Sequence, residues 1–132
     1  MDHETRSLVS GRASHRCEYC RLHEDDDAYT FHVEHIIAKK HGGGDALENL
    51  AFACNQCNLH KGPNLSGIDP DSGSPVELFH PRRDRWTEHF SIQGAHIVGL
   101  TARGRATVRV LNMNDPDRIR VRAELGFPDE LQ

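Results

Sequence analysis

Apolar residues come along this chain in short clusters, each readable only with its flanks. Residues 1–16 hold one apolar pair, Leu8-Val9, which predicts a frayed helix running into Cys17. Tyr29 to Ala38 alternates in part, with Phe31, Val33, Ile36 and Ile37, and reads as a strand. Gly42-Gly43-Gly44 then forms a flexible loop in which positive φ costs little. Leu50-Ala51-Phe52-Ala53 reads as a second short strand ending at Cys54. Asn55 is a candidate cap for a helix reaching about Lys61 and stopping at Gly62-Pro63. The predicted order is hairpin, then helix.

Residues 63–75 are dense in Pro, Gly, Ser, Asn and Asp and read as a loop or linker. Val76 to Phe79 reads as a strand, and Trp86 and Phe90 at i, i+4 suit a helical turn or two between Asp84 and Phe90. His96 to Leu100 reads as a strand. Thr101 to Asn112 fits either period: Val108 and Val110 alternate, while Val108/Leu111 and Ala106/Val110 are spaced as on a helix, and we favour a helix capped by Thr101. Asp115-Pro116 is a cap followed by Pro at the first helical position, which predicts a helix from Pro116 to Leu125 ended by Gly126. The expected fold class is α+β, with a core over residues 1–62 and a mixed strand and helix extension over 63–132.

At 132 residues, a modest core is affordable, although few aromatic residues are available for it. No apolar run approaches the roughly 18 residues needed to cross a bilayer. Met1-Asp2-His3-Glu4 is acidic and without an apolar leader, so the expectation is a soluble, cytoplasmic protein with no membrane partner. A net charge of −4 argues against a uniformly basic coat for nucleic acid. The charge is uneven, however. From Arg82 to Arg122 there are nine arginines against four acidic residues, while acid collects at Glu24-Asp25-Asp26-Asp27 and in the tail. Such a cationic stretch can track phosphates, or be an ordinary solvated face. The acidic run at 24–27 lacks the spacing of a calcium loop and reads as an exposed turn.

All four cysteines lie in two Cys-x-x-Cys pairs, Cys17/Cys20 and Cys54/Cys57. In a reducing compartment that spacing indicates a metal before a disulfide, and two such knuckles complete a tetrahedral four-thiolate site for structural zinc. A redox pair is the rival, with no βαβ setting to support it. Between the knuckles lie residues suited to phosphodiester chemistry, which needs a base for water, charge compensation at phosphorus and help for the leaving oxygen. Glu34 and Asn58 offer hard oxygen ligands suited to magnesium or manganese. His35, beside Glu34, is a candidate general base at neutral pH.

The ordered run Cys-x-x-Cys, Glu34-His35-Ile36-Ile37, Gly-Gly, Glu48-Asn49-Leu50, Cys-x-x-Cys-Asn58-x-x-Lys61-Gly62 resembles the HNH endonuclease family, the ββα-metal finger nucleases, in its four-cysteine, His-Asn-Asn form. The resemblance covers about residues 12–62. It implies a zinc-stapled hairpin and helix, a catalytic divalent metal on Glu34, where Asp is commoner, and His35 as the general base. It further implies that Asn49 holds the loop between the strands and so orients the base. Asn58 stands where many members have His, which implies an amide-oxygen ligand and a harder ion. The substrate implied is DNA, gripped along its minor groove and backbone and cut to a 3′-hydroxyl and a 5′-phosphate.

Candidates for phosphate contact are Lys61, Arg82, Arg83, Arg85, Arg103 and Arg105, with a solvated Lys61 an equal alternative. A zinc-stapled module that binds nucleic acid or protein without cutting is the competing functional class. The segment after Pro63 is similar to extensions on small stand-alone bacterial members, with no chemistry attached to it.

Overall fold

The structure, a computed structural model, describes residues 2–126; the acidic tail lies outside the described residues. The chain forms two compact units. One comprises the residues through Asn64 together with His80–Arg83, and the other comprises Leu65–Phe79 and the residues from Asp84 on.

The first unit begins with α1 (His3–Arg12), capped by Asp2, whose carboxylate accepts from the Thr5 amide. The helix ends at Arg12 rather than running into Cys17, because Ser14 and His15 adopt positive φ and turn the chain. β1 (His32–His35) pairs antiparallel with β2 (Leu50–Ala53), Glu34 opposite Ala51 and His35 opposite Leu50. β1 is shorter than the alternation suggested. All four β2 residues are buried, since small Ala51 and Ala53 let cover approach both faces. A lone hairpin is marginal in water, so this cover is what stabilises it. Val9, Tyr19, Phe31, Ile36, Leu50 and Phe52 make the core, with Phe31 and Phe52 ring centroids 5.3 Å apart. Each fully buried apolar side chain there contributes about 1.5–3 kcal/mol.

α2 (Asn55–Lys61) follows β2 directly. Its cap is Cys54 rather than Asn55: the Cys54 sulfur accepts from the Cys57 amide at 3.3 Å. Asn55, expected at that position, instead meets His32 Nε2 at 3.0 Å.

In the second unit, β3 (Ser66–Ile68), within the stretch expected to be a loop or linker, pairs with β4 (Pro75–Glu77), which overlaps the strand expected at Val76 to Phe79. The turn formers between them build a tight turn around Asp69, whose carboxylate accepts from the Asp71 and Ser72 amides and the Ser72 hydroxyl. α3 (Trp86–His89) is a single turn, and Phe90 starts a second hairpin, β5 (Phe90–Gln93) with β6 (His96–Gly99). Phe79 and Trp86 pack on Phe90, with centroids 5.2 and 5.1 Å from it. α4 (Ala102–Val110) is capped by Thr101, which settles the ambiguous stretch as helix. Gly104 is required there: a Cβ would sit 2.1 Å from the His89 carbonyl oxygen. α5 (Pro116–Leu125) has the expected Asp115 cap and ends at Gly126. The observed architecture is α+β, with three two-stranded antiparallel sheets among the described residues.

Candidate active site

The two knuckles converge. Cys17, Cys20, Cys54 and Cys57 are buried, and their sulfurs all lie within 4.8 Å of one another. Cys20 and Cys54 sulfurs are 3.7 Å apart. Tetrahedral zinc with bonds of about 2.3 Å needs sulfurs about 3.8 Å apart, so the cluster fits that ion. Each knuckle has the same internal bond, the second cysteine's amide donating to the first sulfur, at 3.4 and 3.3 Å. The thiols do not ionise together unaided: contact with Cys17 and its neighbours lowers Cys20 while pushing Cys54 and Cys57 up. A divalent cation removes that conflict by accepting the charge of several thiolates at once.

The inner residues of the first knuckle reach outward from the cluster. The Glu18 amide donates to the Phe52 carbonyl at 2.8 Å, and Glu18 Oε2 accepts from the Phe52 amide at 2.8 Å. The other Glu18 oxygen pairs with the Arg82 guanidinium. Tyr19, wholly buried, donates its hydroxyl to Glu34 Oε1. Burial first, then the neighbouring Glu34 charge, pushes the phenol well above its ordinary range, so it stays a donor.

Glu34 is 6 % exposed and faces inward from β1. Its Oε2 lies 3.4 Å from Lys61 Nζ, which also donates to the Ile36 carbonyl at 2.9 Å. Burial raises the Glu34 carboxyl above its usual range, against the opposing pull of Lys61 and the Tyr19 hydroxyl. His35, the last β1 residue, is half-buried, and its Nε2 is 2.6 Å from Asp45 Oδ1. Asn49 fastens the intervening loop, accepting from the Ile37 amide at 2.9 Å and donating to the Ile37 and Gly44 carbonyls at 3.0 and 2.8 Å. Glu34, His35 and, from α2, Asn58 line one open cleft of about 530 Å³, with Lys39 and the exposed Leu59 at its side.

The expected phosphate contacts are placed unevenly. Lys61, 2 % exposed, is neither at the surface nor solvated, because the Glu34 carboxylate and a strand-end carbonyl hold it inside. Arg82 is spoken for by Glu18, Arg103 by Asp84 at 2.9 Å with Glu77 at 3.5 Å, and Arg105 by Asp69 at 2.8 Å and Asp71 at 3.1 Å. Arg83 and Arg85 are exposed. Sequence reasoning missed Tyr19, Glu18 and Asp45. The knuckle residues carried a usable signal, since inner positions of Cys-x-x-Cys are held rigidly beside whatever packs there; Asp45 carried none.

The HNH endonuclease family model matches residues 17–64, the span holding both knuckles and the cleft. These residues form an HNH endonuclease domain. Its family is one of nucleases. The Septu protein PtuB of Bacillus thuringiensis is 27 % identical to the chain over 109 residues, covering 81 % of this chain and 40 % of PtuB. The chain therefore spans well under half the length of that relative. No solved structure matches it. The HNH domain contains all four cysteines, Glu34, His35, Asn49, Asn58 and Lys61, and ends where the first unit's continuous segment ends.

Proposed function

We propose that the protein is a metal-dependent endonuclease that hydrolyses DNA phosphodiester bonds at the cleft of its HNH domain. What carries the reading is the meeting of Glu34, His35 and Asn58 at one opening, within a segment matched to a nuclease family. Glu34 and Asn58 would hold a magnesium or manganese ion. Glu34 Oε1 accepts from Tyr19 and Oε2 pairs with Lys61, and a carboxylate offers about four lone-pair sites, so capacity remains for a cation. The Asn58 amide oxygen is of the same hard type. Such an ion, when bound, supplies charge compensation at phosphorus and at the leaving oxygen.

The remaining work falls to side chains of the chain. Neutral His35 accepts a proton from water as the water oxygen bonds to phosphorus and the P–O3′ bond breaks; the departing O3′ takes its proton from solvent. Asn49 keeps the loop beside His35 in one conformation through its three hydrogen bonds. Tyr19 and Lys61 hold the Glu34 carboxylate in place. For the phosphate backbone, Arg83 and Arg85 are the exposed ones among the arginines named, and affinity through them would fall as salt rises.

Plasmid cleavage in magnesium or manganese tests the reading. His35→Ala should lose about 10²–10⁴-fold in rate while keeping its zinc; equal rates would remove His35 from the mechanism. A second reading, a zinc-stapled module that binds without cutting, draws support from one observation: the Glu34 carboxylate is already neutralised by Lys61. DNA binding with no cleavage in any divalent metal would favour it.

A further inference from the structure

The contact between His35 and Asp45 has a construction that an incidental surface pair lacks. Asp45 is 63 % exposed in its side chain, and exposed ion pairs by themselves are worth little. Its backbone, however, is pinned on the side that leads into it. Gly43 lies so close under the end of β1 that a Cβ would stand 1.7 Å from the Ile37 carbonyl oxygen, and Gly42 takes φ of 91° to bring it there. Asn49 donates to the carbonyl of Gly44, the residue immediately before Asp45. The loop therefore arrives at Asp45 with little freedom left, and the carboxylate meets the imidazole at 2.6 Å, with Lys39 Nζ 3.6 Å from the same oxygen.

A carboxylate can only accept in such a bond, so the ring nitrogen facing it carries the hydrogen. Asp45 is held below the usual carboxylate range chiefly by this bond with His35, then by Lys39, and so stays ionised. We propose that Asp45 is a positioning residue for the reaction: it accepts the Nε2–H of neutral His35 and thereby reserves Nδ1 as the nitrogen that takes the proton from water. The inference rests on His35 being the base. The proton leaving water forms an N–H bond at Nδ1, Nε2 keeps its own hydrogen, and no proton passes to Asp45. The resulting imidazolium is stabilised by the adjacent carboxylate. Without Asp45 the ring divides between tautomers and orientations, of which one is productive.

The test pairs a tautomer measurement with kinetics on the zinc-loaded chain. In protein carrying ¹⁵N-histidine, above about pH 8 where an unperturbed imidazole is neutral, the His35 signal is identified by its absence in His35→Gln. Wild type should show a proton-bearing Nε2 and a bare Nδ1. Asp45→Ala should shift both nitrogens toward averaged values and lower kcat about 10–100-fold, the range typical of a lost orienting partner, with KM unchanged. Asp45→Glu should restore part of both. An Nε2 that stays protonated in Asp45→Ala, with kcat at the wild-type value, would overturn the proposal. The two readings fail separately: His35→Ala inactive with Asp45→Ala fully active removes only Asp45, whereas an active His35→Ala removes the base itself. The NMR arm decides the tautomer even without turnover.

Discussion

Both units bury charged and polar side chains, and they spend them differently. In the second unit Thr107 accepts from the Phe79 amide at 2.9 Å and donates to the Arg103 carbonyl at 2.7 Å. Arg122 donates to the Ala95 and Met113 carbonyls and to Asn114 Oδ1, and Asp69 closes its own turn while holding Arg105. Those groups are consumed by backbone and by neighbours that shape turns. In the first unit Glu34 and Lys61 are equally buried, yet their partners are mainly side chains, and Glu34 forms part of the wall of a cleft. A buried polar group saturated by backbone fixes a fold. One held by side chains beside an opening is available for chemistry. The same contrast separates what staples each unit: sulfur clustered for a metal in one, aromatic packing and helix caps in the other.

That contrast is easiest to break at the metal. Removing zinc with a chelator, or Cys57→Ala, takes away a contribution of about 10 kcal/mol. Hydrogen exchange should then lose protection across β1, β2 and α2 while β5, β6 and α4 keep theirs; equal loss in both units would make the staple a feature of the whole chain. Smaller is Trp86→Ala, which leaves a cavity beside Phe90 and should cost about 3–5 kcal/mol. It should lower the unfolding temperature without changing zinc content, and a drop in bound zinc would contradict the division. Smallest is the acid response of the second unit. Arg105 holds the Asp69 carboxyl well below its unfolded value of about 3.9. A lowered folded pKa contributes stability above the unfolded value, and that stability is lost as pH falls through the folded one. Asp69→Asn should therefore flatten the fall of stability below about pH 4, read by denaturant melts at several pH values; an unchanged slope would assign the acid response elsewhere.

How legible each part was follows from how local its cause is. The knuckles, β2, α2 and the caps at Thr101 and Asp115 depend on residues within a few positions of one another, and the sequence located them to within a residue or two. The cap of α2 was misplaced by one, because the sulfur that closes the cluster also takes the amide a capping Asn would have taken. Strands β4 and β6 fall where strands were expected, at Val76–Phe79 and His96–Leu100, whereas their partners β3 and β5 were not foreseen. Ser66-Gly67-Ile68 has no strand periodicity, and its pairing depends on the turn that Asp69 organises. Around the cleft, Glu34, His35 and Asn58 were marked by motif spacing, whereas the partners that hold them were not. Asp45 meets His35 only because Asn49 and Gly43 fold the loop back, and Lys61 is inside only because Glu34 is there to receive it.

The most direct measurement is a crystal of the protein grown with a short DNA duplex and manganese, read by anomalous scattering. The account predicts a manganese peak bonded to Glu34 and Asn58 oxygens, a phosphate oxygen beside it and the His35 ring facing the phosphorus. Manganese absent from Glu34 and Asn58 in a DNA-bound crystal, with Lys61 and Tyr19 still holding the carboxylate, would contradict it.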